Sequence, residues 1–247
     1  MCGRYGASWG VDDLVEQYEI QVVDDGAALP ADYNVAPTKP VCAVVQRRER
    51  GAAEEEPPVR RLMALRWGLV PSWAKEPSIG SRMINARVET APEKPAFRQA
   101  FARRRCLLPA DGYYEWMGEK GHKRPYFIRA KSGGGLAMAG LYEFWRDPAR
   151  DREDPAAWLA TCTILTTSAS DSIGHIHDRQ PLFVEPPHYA AWLAPEAADT
   201  AALTALLTPS LGPGLEAYAV STEVNDVRNG GPHLVESVGE EAPYTLF

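Results

Sequence analysis

The run from Cys106 to Phe144, CLLPADGYYEWMGEKGHKRPYFIRAKSGGGLAMAGLYEF, decides the fold class. It holds four short apolar or alternating segments, Cys106 to Leu108, Tyr113 to Met117, Pro125 to Ala130 and Leu136 to Phe144. Glycine-bearing breaks at Gly118 to Gly121 and Gly133 to Gly135 separate the later ones. Short strands joined by glycine turns predict antiparallel pairing. Further strands are predicted outward from this run, at Val41 to Gln46, Val59 to Leu69, Cys162 to Thr167 and Tyr218 to Val224. Arg47 to Pro58, charged and proline-containing, reads as a mobile hairpin loop. Helices are expected after Ser8 (Leu14, Val15, Tyr18), over Pro187 to Leu193 and over Ala197 to Leu207. Another is expected from the capping-box spacing Thr90-Ala-Pro-Glu93 through Phe97 and Phe101, two apolar residues one turn apart. With neither an internal repeat nor a dividing linker, the reading is one α+β domain over residues 1–247. Its core is mainly antiparallel and barrel-like, with peripheral helices.

The composition supports a packed core. Of 247 residues, 45% are hydrophobic and 24% charged, which excludes disordered, collagenous and coiled-coil classes. No run of about 18 apolar residues occurs, and no apolar leader follows Met1-Cys2-Gly3-Arg4, so a soluble, cytoplasmic protein with no membrane partner is expected. Cys2, Cys42, Cys106 and Cys162 are too scattered for a zinc ribbon or a disulfide framework. The net charge of −7 hides a segregation: residues 43–105 hold fourteen Lys/Arg against seven Asp/Glu, whereas from residue 201 Arg228 alone opposes six acidic residues. A basic groove is therefore compatible with an acidic chain.

Four places carry chemistry. Cys2 is small enough for methionine aminopeptidase to expose it as a 1,2-aminothiol, with reference pKa values of about 8 for the amine and about 8.5 for the thiol. Such a terminus could attack an amide, or trap an aldehyde as an imine that the thiol closes into a thiazolidine. Glu115 lies between Tyr114 and Trp116, and alternation predicts that it faces away from both. If buried, its carboxyl titrates nearer neutrality and can shuttle protons. His175 and His177 are expected on one strand face. With no other Cys or His cluster to join them, a single working histidine with Arg179 beside it is favoured over a metal site. Finally, Trp67-Gly-Leu-Val-Pro-Ser-Trp73 with Arg82 to Arg87 interleaves aromatic and basic residues, as a single-strand groove requires.

Seven motifs in order, Cys2-Gly-Arg4, Asn34-Val-Ala-Pro37, Trp67 to Pro71, Asn85-Ala-Arg87-Val-Glu89, Arg104 to Trp116, Ala139-Gly-Leu141 and His177-x-Arg179-x-Pro181, closely resemble the SOS-response-associated peptidases. That family (SRAP) is also called the abasic site processing proteins. The match runs from Cys2 to about Val224, leaving 225–247 as an extension. The resemblance implies a single SRAP domain that meets abasic sites in single-stranded DNA and crosslinks to them through Cys2, with no metal or other cofactor, acting as a monomer and associated with the nucleoid when bound. By motif position Cys2, Asn85, Glu115 and His177 would be catalytic, and Arg4, Asn34, Trp67, Trp73, Arg87 and Arg179 would contact DNA. Peptidase activity in releasing Met1 and a lyase side path belong to the same implication. Gln180 stands where the family usually has methionine. Two other readings compete: an N-terminal cysteine amidohydrolase or autoprocessing peptidase, which uses Cys2 but gives the basic region no role, and a non-covalent single-strand binding module in which Cys2 is incidental.

Overall fold

The computed structural model describes residues 2–48, 51, 53, 56–119, 122–169, 173–196, 199–211 and 214–239. The chain begins with β1 (Tyr5–Ala7), α1 (Val11–Tyr18), β2 (Val22–Val23), β3 (Asp32–Val35), β4 (Pro40–Arg47) and β5 (Val59–Trp67). Then come β6 (Asn85–Arg87), α2 (Arg98–Arg103), β7 (Arg105–Ala110), β8 (Gly112–Met117), β9 (Arg124–Ala130) and β10 (Leu136–Arg146). It continues with β11 (Trp158–Ser168), β12 (Arg179–Pro181), β13 (Phe183–Val184), α3 (Tyr189–Leu193), α4 (Thr200–Ala205), β14 (Leu207–Thr208) and β15 (Leu215–Ala219).

Five strands close on themselves. Antiparallel pairing links β5 to β4, β4 to β7, β7 to β10 and β10 to β11, and a parallel pair, with Cys162 opposite Trp67, returns β11 to β5. Closure removes the exposed edges that would otherwise invite aggregation. Side-chain alternation divides these strands between two cores. Val41, Ala43, Val45, Met63, Leu65, Trp67, Cys106, Leu108, Met138, Cys162 and Ile164 fill the interior. Val44, Leu62, Leu107, Ala139, Leu141 and Leu165 point outward and are covered by Leu14, Tyr18, Phe101, Trp192 and Leu203 from the helices. Strands buried on both faces read as apolar runs, which is why these were legible. A second sheet, ordered β15-β9-β8-β1-β3, lies against the barrel and shares its interior cluster through Tyr5, Tyr113 and Ile128.

The mainly antiparallel barrel with outside helices matches the expectation, and several local expectations are corrected. Thr90 to Glu93 does not open a helix: residues 88–97 form successive turns and α2 starts at Arg98, because Pro95 interrupts the amide ladder and biases Lys94 away from helix. Phe97 and Phe101 still share one buried face. The late strand is Leu215–Ala219, and Thr222–Asn225 is a 3-10 turn. Residues 173–176 form a turn, so His175 and His177 do not share a strand face. The helix expected over Ala197 to Leu207 is confined to Thr200–Ala205, and positions 197 and 198 lie outside the described residues. Within the expected mobile loop 47–58, positions 49, 50, 52, 54 and 55 lie outside the described residues. Within the extension after Val224, Leu234 is buried with Tyr114 and Phe127. Among the described residues no helix is long and apolar enough to cross a membrane.

Arg105 fastens the helical layer to the barrel. It is buried, and its guanidinium donates to the carbonyls of Trp192 (2.7 Å), Phe101 (2.9 Å), Ala102 (2.5 Å) and Ala194. These are carbonyls at helix ends with no partner inside their own helices. Burial lowers the Arg105 pKa to about 10, so it stays charged at neutral pH. Arg105→Met keeps the side-chain volume and strands those carbonyls; we expect it to lower the unfolding free energy by about 3–5 kcal/mol. Denaturant titration checks this, and a loss below about 1 kcal/mol would show that the helices are held by apolar packing alone.

Candidate active site

The beginning of the chain is pinned between the two sheets. Tyr5 pairs with Val35 on one side and Tyr113 on the other, and the Tyr114 amide donates to the Arg4 carbonyl (2.9 Å). Cys2 is 0% exposed and belongs to the barrel's interior cluster. Asn85 Nδ2 donates to the Cys2 carbonyl at 2.8 Å. Asn85 occupies its place because β6 pairs in parallel with β11, opposite Ile164. A tight approach upstream sets that register: Gly68 has φ 126°, and a Cβ built on it would lie 2.6 Å from the Gly80 carbonyl oxygen. Only glycine allows the turn after β5 to lie against the 3-10 segment Pro77–Arg82 that leads into Asn85.

Glu115 is buried on β8, and alternation places it away from Tyr114 and Trp116, which pack in a separate cluster. Burial raises its pKa to about 7, against the lowering pull of the chain's amino terminus and of Lys123. The Cys2 thiol is likewise pushed far up, first by burial and then by the Glu115 charge. His177 Nε2 stands 3.9 Å from Glu115 Oε2. The Arg179 backbone N–H donates to His177 Nδ1 at 3.0 Å, which puts the single proton of the neutral ring on Nε2, toward Glu115. Asp178 Oδ1, 2.9 Å from the same Nδ1, becomes a partner when the ring is doubly protonated. Burial followed by the amino-terminal charge lowers the His177 pKa, favouring the neutral form. Cys2, Asn85, Glu115 and His177, distant in sequence, therefore form one cluster. His175 is exposed.

The predicted DNA contacts divide differently. Trp67 does not line a groove: it is 0% exposed, its indole N–H donates to the Ile84 carbonyl (2.9 Å), and its ring meets Tyr5 edge-on. Asn34 is buried too, and its Nδ2 donates to the carbonyls of Asp226 (3.0 Å) and Asn229 (2.9 Å), making it a clamp on the C-terminal segment. Arg4 serves that clamp, donating to Asn34 Oδ1 (2.6 Å) and the Val224 carbonyl (2.7 Å) while lying over Trp116. Arg179 is engaged by Glu89 through two bonds of 2.9 and 3.0 Å and by the Thr166 carbonyl. Trp73, in contrast, is 60% exposed and lines a cleft of about 490 Å³ with Lys75, Ser78 and Arg82. Arg87 is exposed on β6, beside Asn85.

The basic excess of residues 43–105 is also partly internal. Arg48, Arg60, Arg61, Arg104 and Arg105 are engaged by Glu196, Glu19, Asp24, Glu143 and buried carbonyls, respectively. Sequence reasoning missed Tyr113, which shares the Glu115 face of β8; its spacing of two from Glu115 was the available signal. It also missed Glu89 as the partner of Arg179.

Known proteins resemble this chain in sequence and fold. Residues 1–227 match the family model described as SOS response associated peptidase (SRAP). The abasic site processing protein YoqW of Bacillus subtilis is 40% identical over 239 residues, covering 96% of this chain and 100% of that protein. The abasic site processing protein YedK of Escherichia coli is 29% identical over 96% of this chain and 100% of its own length. A crystal structure of a protein from Bacteroides thetaiotaomicron superposes with a TM-score of 0.76 at 25% identity, covering 96% of this chain and 99% of the other. The chain belongs to the SOS response associated peptidase (SRAP) family.

Proposed function

We propose that this protein handles abasic sites in single-stranded DNA by trapping them covalently on its N-terminal cysteine once Met1 has been removed. The observation that carries this reading is the buried cluster in which Asn85 holds the Cys2 carbonyl and Glu115, with its pKa near 7, bears on the Cys2 thiol. The names of the relatives YoqW and YedK support the choice of lesion.

The chemistry follows from the groups present. An abasic sugar equilibrates between a closed hemiacetal and an aldehyde. Opening it requires a base for the anomeric hydroxyl and an acid at the ring oxygen, and Glu115 and the Nε2–H of His177 supply these. The Cys2 amine adds to the aldehyde carbon, and loss of one water leaves an imine. The thiol then adds across the C=N bond, forming the S–C bond while its proton passes through Glu115 to nitrogen, and a five-membered thiazolidine results. A thiol held protonated by burial does not compete with the amine for the aldehyde; it needs Glu115 as base for the closing step. The imine alone would permit β-elimination and strand cleavage, so lyase activity is a side path of the same intermediate. Release of Met1 by the Cys2 and Glu115 pair accounts for the peptidase label. The protein acts as a monomer in the cytoplasm, on the nucleoid when DNA-bound.

The DNA path runs over Trp73, Lys75, Arg82 and Arg87. Arg82 lies three residues from Asn85, at most about 11 Å of chain, so a base stacked on Trp73 belongs to a nucleotide near the lesion.

Incubation with a single-stranded oligonucleotide carrying one abasic site, followed by a denaturing gel, should give a shifted band. The band should be missing for Cys2→Ala and for DNA whose sugar aldehyde has been reduced; persistence in Cys2→Ala would assign the trap to another nucleophile.

The pH profile tests Glu115. The reactive state needs a neutral amine, with reference pKa of about 8, and an ionised Glu115. Below pH 7 the logarithm of the crosslinking rate should therefore rise with a slope near two. For Glu115→Gln, prepared with Cys2 as its first residue, the slope should be near one, and a slope of two in that variant would remove Glu115 as the base.

Arg87→Ala should flatten the salt dependence of single-strand binding by about 0.7 in log–log slope. Trp73→Ala should weaken binding by about 1–3 kcal/mol with the slope unchanged. Equal slopes for wild type and Arg87→Ala would exclude a phosphate contact there.

A further inference from the structure

Tyr113 and Glu115 leave β8 on the same face, two residues apart. Tyr113 is fully buried, its ring centroid lies 6.5 Å from that of Phe183, and its hydroxyl has no hydrogen-bond partner among the described residues. Leaving a buried hydroxyl unpaired costs about 1–3 kcal/mol, and phenylalanine would fill the same space without that cost. The hydroxyl is also not remote from the chemistry: the charges of Cys2 and Glu115 both bear on it, and with burial they hold it protonated well above the ordinary tyrosine range. It is thus a hydrogen-bond donor at neutral pH. Asn85 Oδ1, on the residue that grips the Cys2 carbonyl, is a second buried polar atom without a partner among the described residues. One unused donor and one unused acceptor therefore belong to the two residues that flank the Cys2 backbone and the Glu115 carboxylate.

A carbinolamine presents the complementary pair, an oxygen gaining negative charge and a nitrogen carrying a proton. Resting on the crosslinking reading above, we propose that the Tyr113 hydroxyl is a catalytic hydrogen-bond donor to the former aldehyde oxygen during imine formation. As the amine lone pair forms the N–C bond, the carbonyl π electrons move onto that oxygen, which accepts the Tyr113 O–H. The nitrogen proton passes to the Glu115 carboxylate, and Asn85 Oδ1 accepts the remaining N–H. Glu115 returns that proton to the oxygen, giving the neutral carbinolamine, and then relays the remaining nitrogen proton to the same oxygen, which leaves as water while the nitrogen lone pair forms C=N. Tyr113 keeps its own proton throughout; it acts by preorganised electrostatics in a site that excludes water.

The test is Tyr113→Phe, prepared like wild type with Cys2 as its first residue. Imine formation on abasic single-stranded DNA is followed by borohydride trapping at saturating DNA, together with single-strand affinity and thermal melting. The expected result is imine formation slowed by about 10²-fold, with affinity unchanged and a melting temperature equal to or above that of wild type. A hydroxyl that is merely a packing remnant gives the same gain in melting temperature with no change in rate, and that result overturns the assignment. Lowered melting overturns it too, because the hydroxyl would then have a structural partner. If wild type itself forms no imine or crosslink, the crosslinking reading fails and this inference fails with it; wild-type trapping with an unaffected Phe variant sinks this inference alone.

Discussion

The hydrogen bond from Asn85 Nδ2 to the Cys2 carbonyl is the constraint on which the site depends. The first residues of a chain ordinarily have few partners and fray. Here Asn85 is fixed by the parallel pairing of β6 with β11, Tyr5 is fixed between β3 and β8, and the Arg4 backbone is paired with Tyr114. A chain end held from both sides is delivered beside a carboxylate with its conformational freedom already spent. The Asn34 and Arg4 clamp extends the same restraint to the C-terminal segment, since both side chains reach carbonyls between Val224 and Asn229. Two residues expected to touch DNA, Asn34 and Arg4, thus help hold the beginning of the chain in place.

Burial then sets the protonation states within the cluster. The same exclusion of water that brings Glu115 to about 7 drives the Cys2 thiol far upward and the His177 ring toward neutrality. A carboxyl poised near neutrality exchanges protons in either direction. The thiol stays protonated, and a neutral imidazole with its proton on Nε2 is a donor facing the carboxyl. One environment thus assigns three different roles to three groups whose ordinary pKa values would not separate them in this way.

The long strands were readable because their two faces are filled by two different cores, giving apolar runs broken by glycine. The three- and four-residue strands β1, β3, β6 and β12 were not, since alternation cannot register over so few positions. Alternation set Glu115 on the face opposite Tyr114 and Trp116 but left open whether that face is buried. Motif order brought Cys2, Asn85 and His177 to Glu115, although residues 173–176, just before His177, form a turn and not the expected strand. What failed was telling buried from exposed members of one residue type. Trp67 and Trp73 flank the same short motif, yet only Trp67 falls on the interior phase of β5. Likewise, charge counting cannot show that Arg105 spends its donors on helix carbonyls or that Arg179 faces Glu89. Those facts depend on partners far away in sequence.

The central claim is that amine and thiol of one residue capture the same sugar carbon. Mass analysis of the nuclease- and protease-digested crosslink, after treatment with a thiol alkylating reagent, tests it most directly. The account predicts an N-terminal peptide beginning with Cys2 that carries the sugar remnant less one water, resists alkylation and is unchanged by borohydride. An adduct whose Cys2 sulfur still alkylates, or a sugar attached to a lysine, would contradict it.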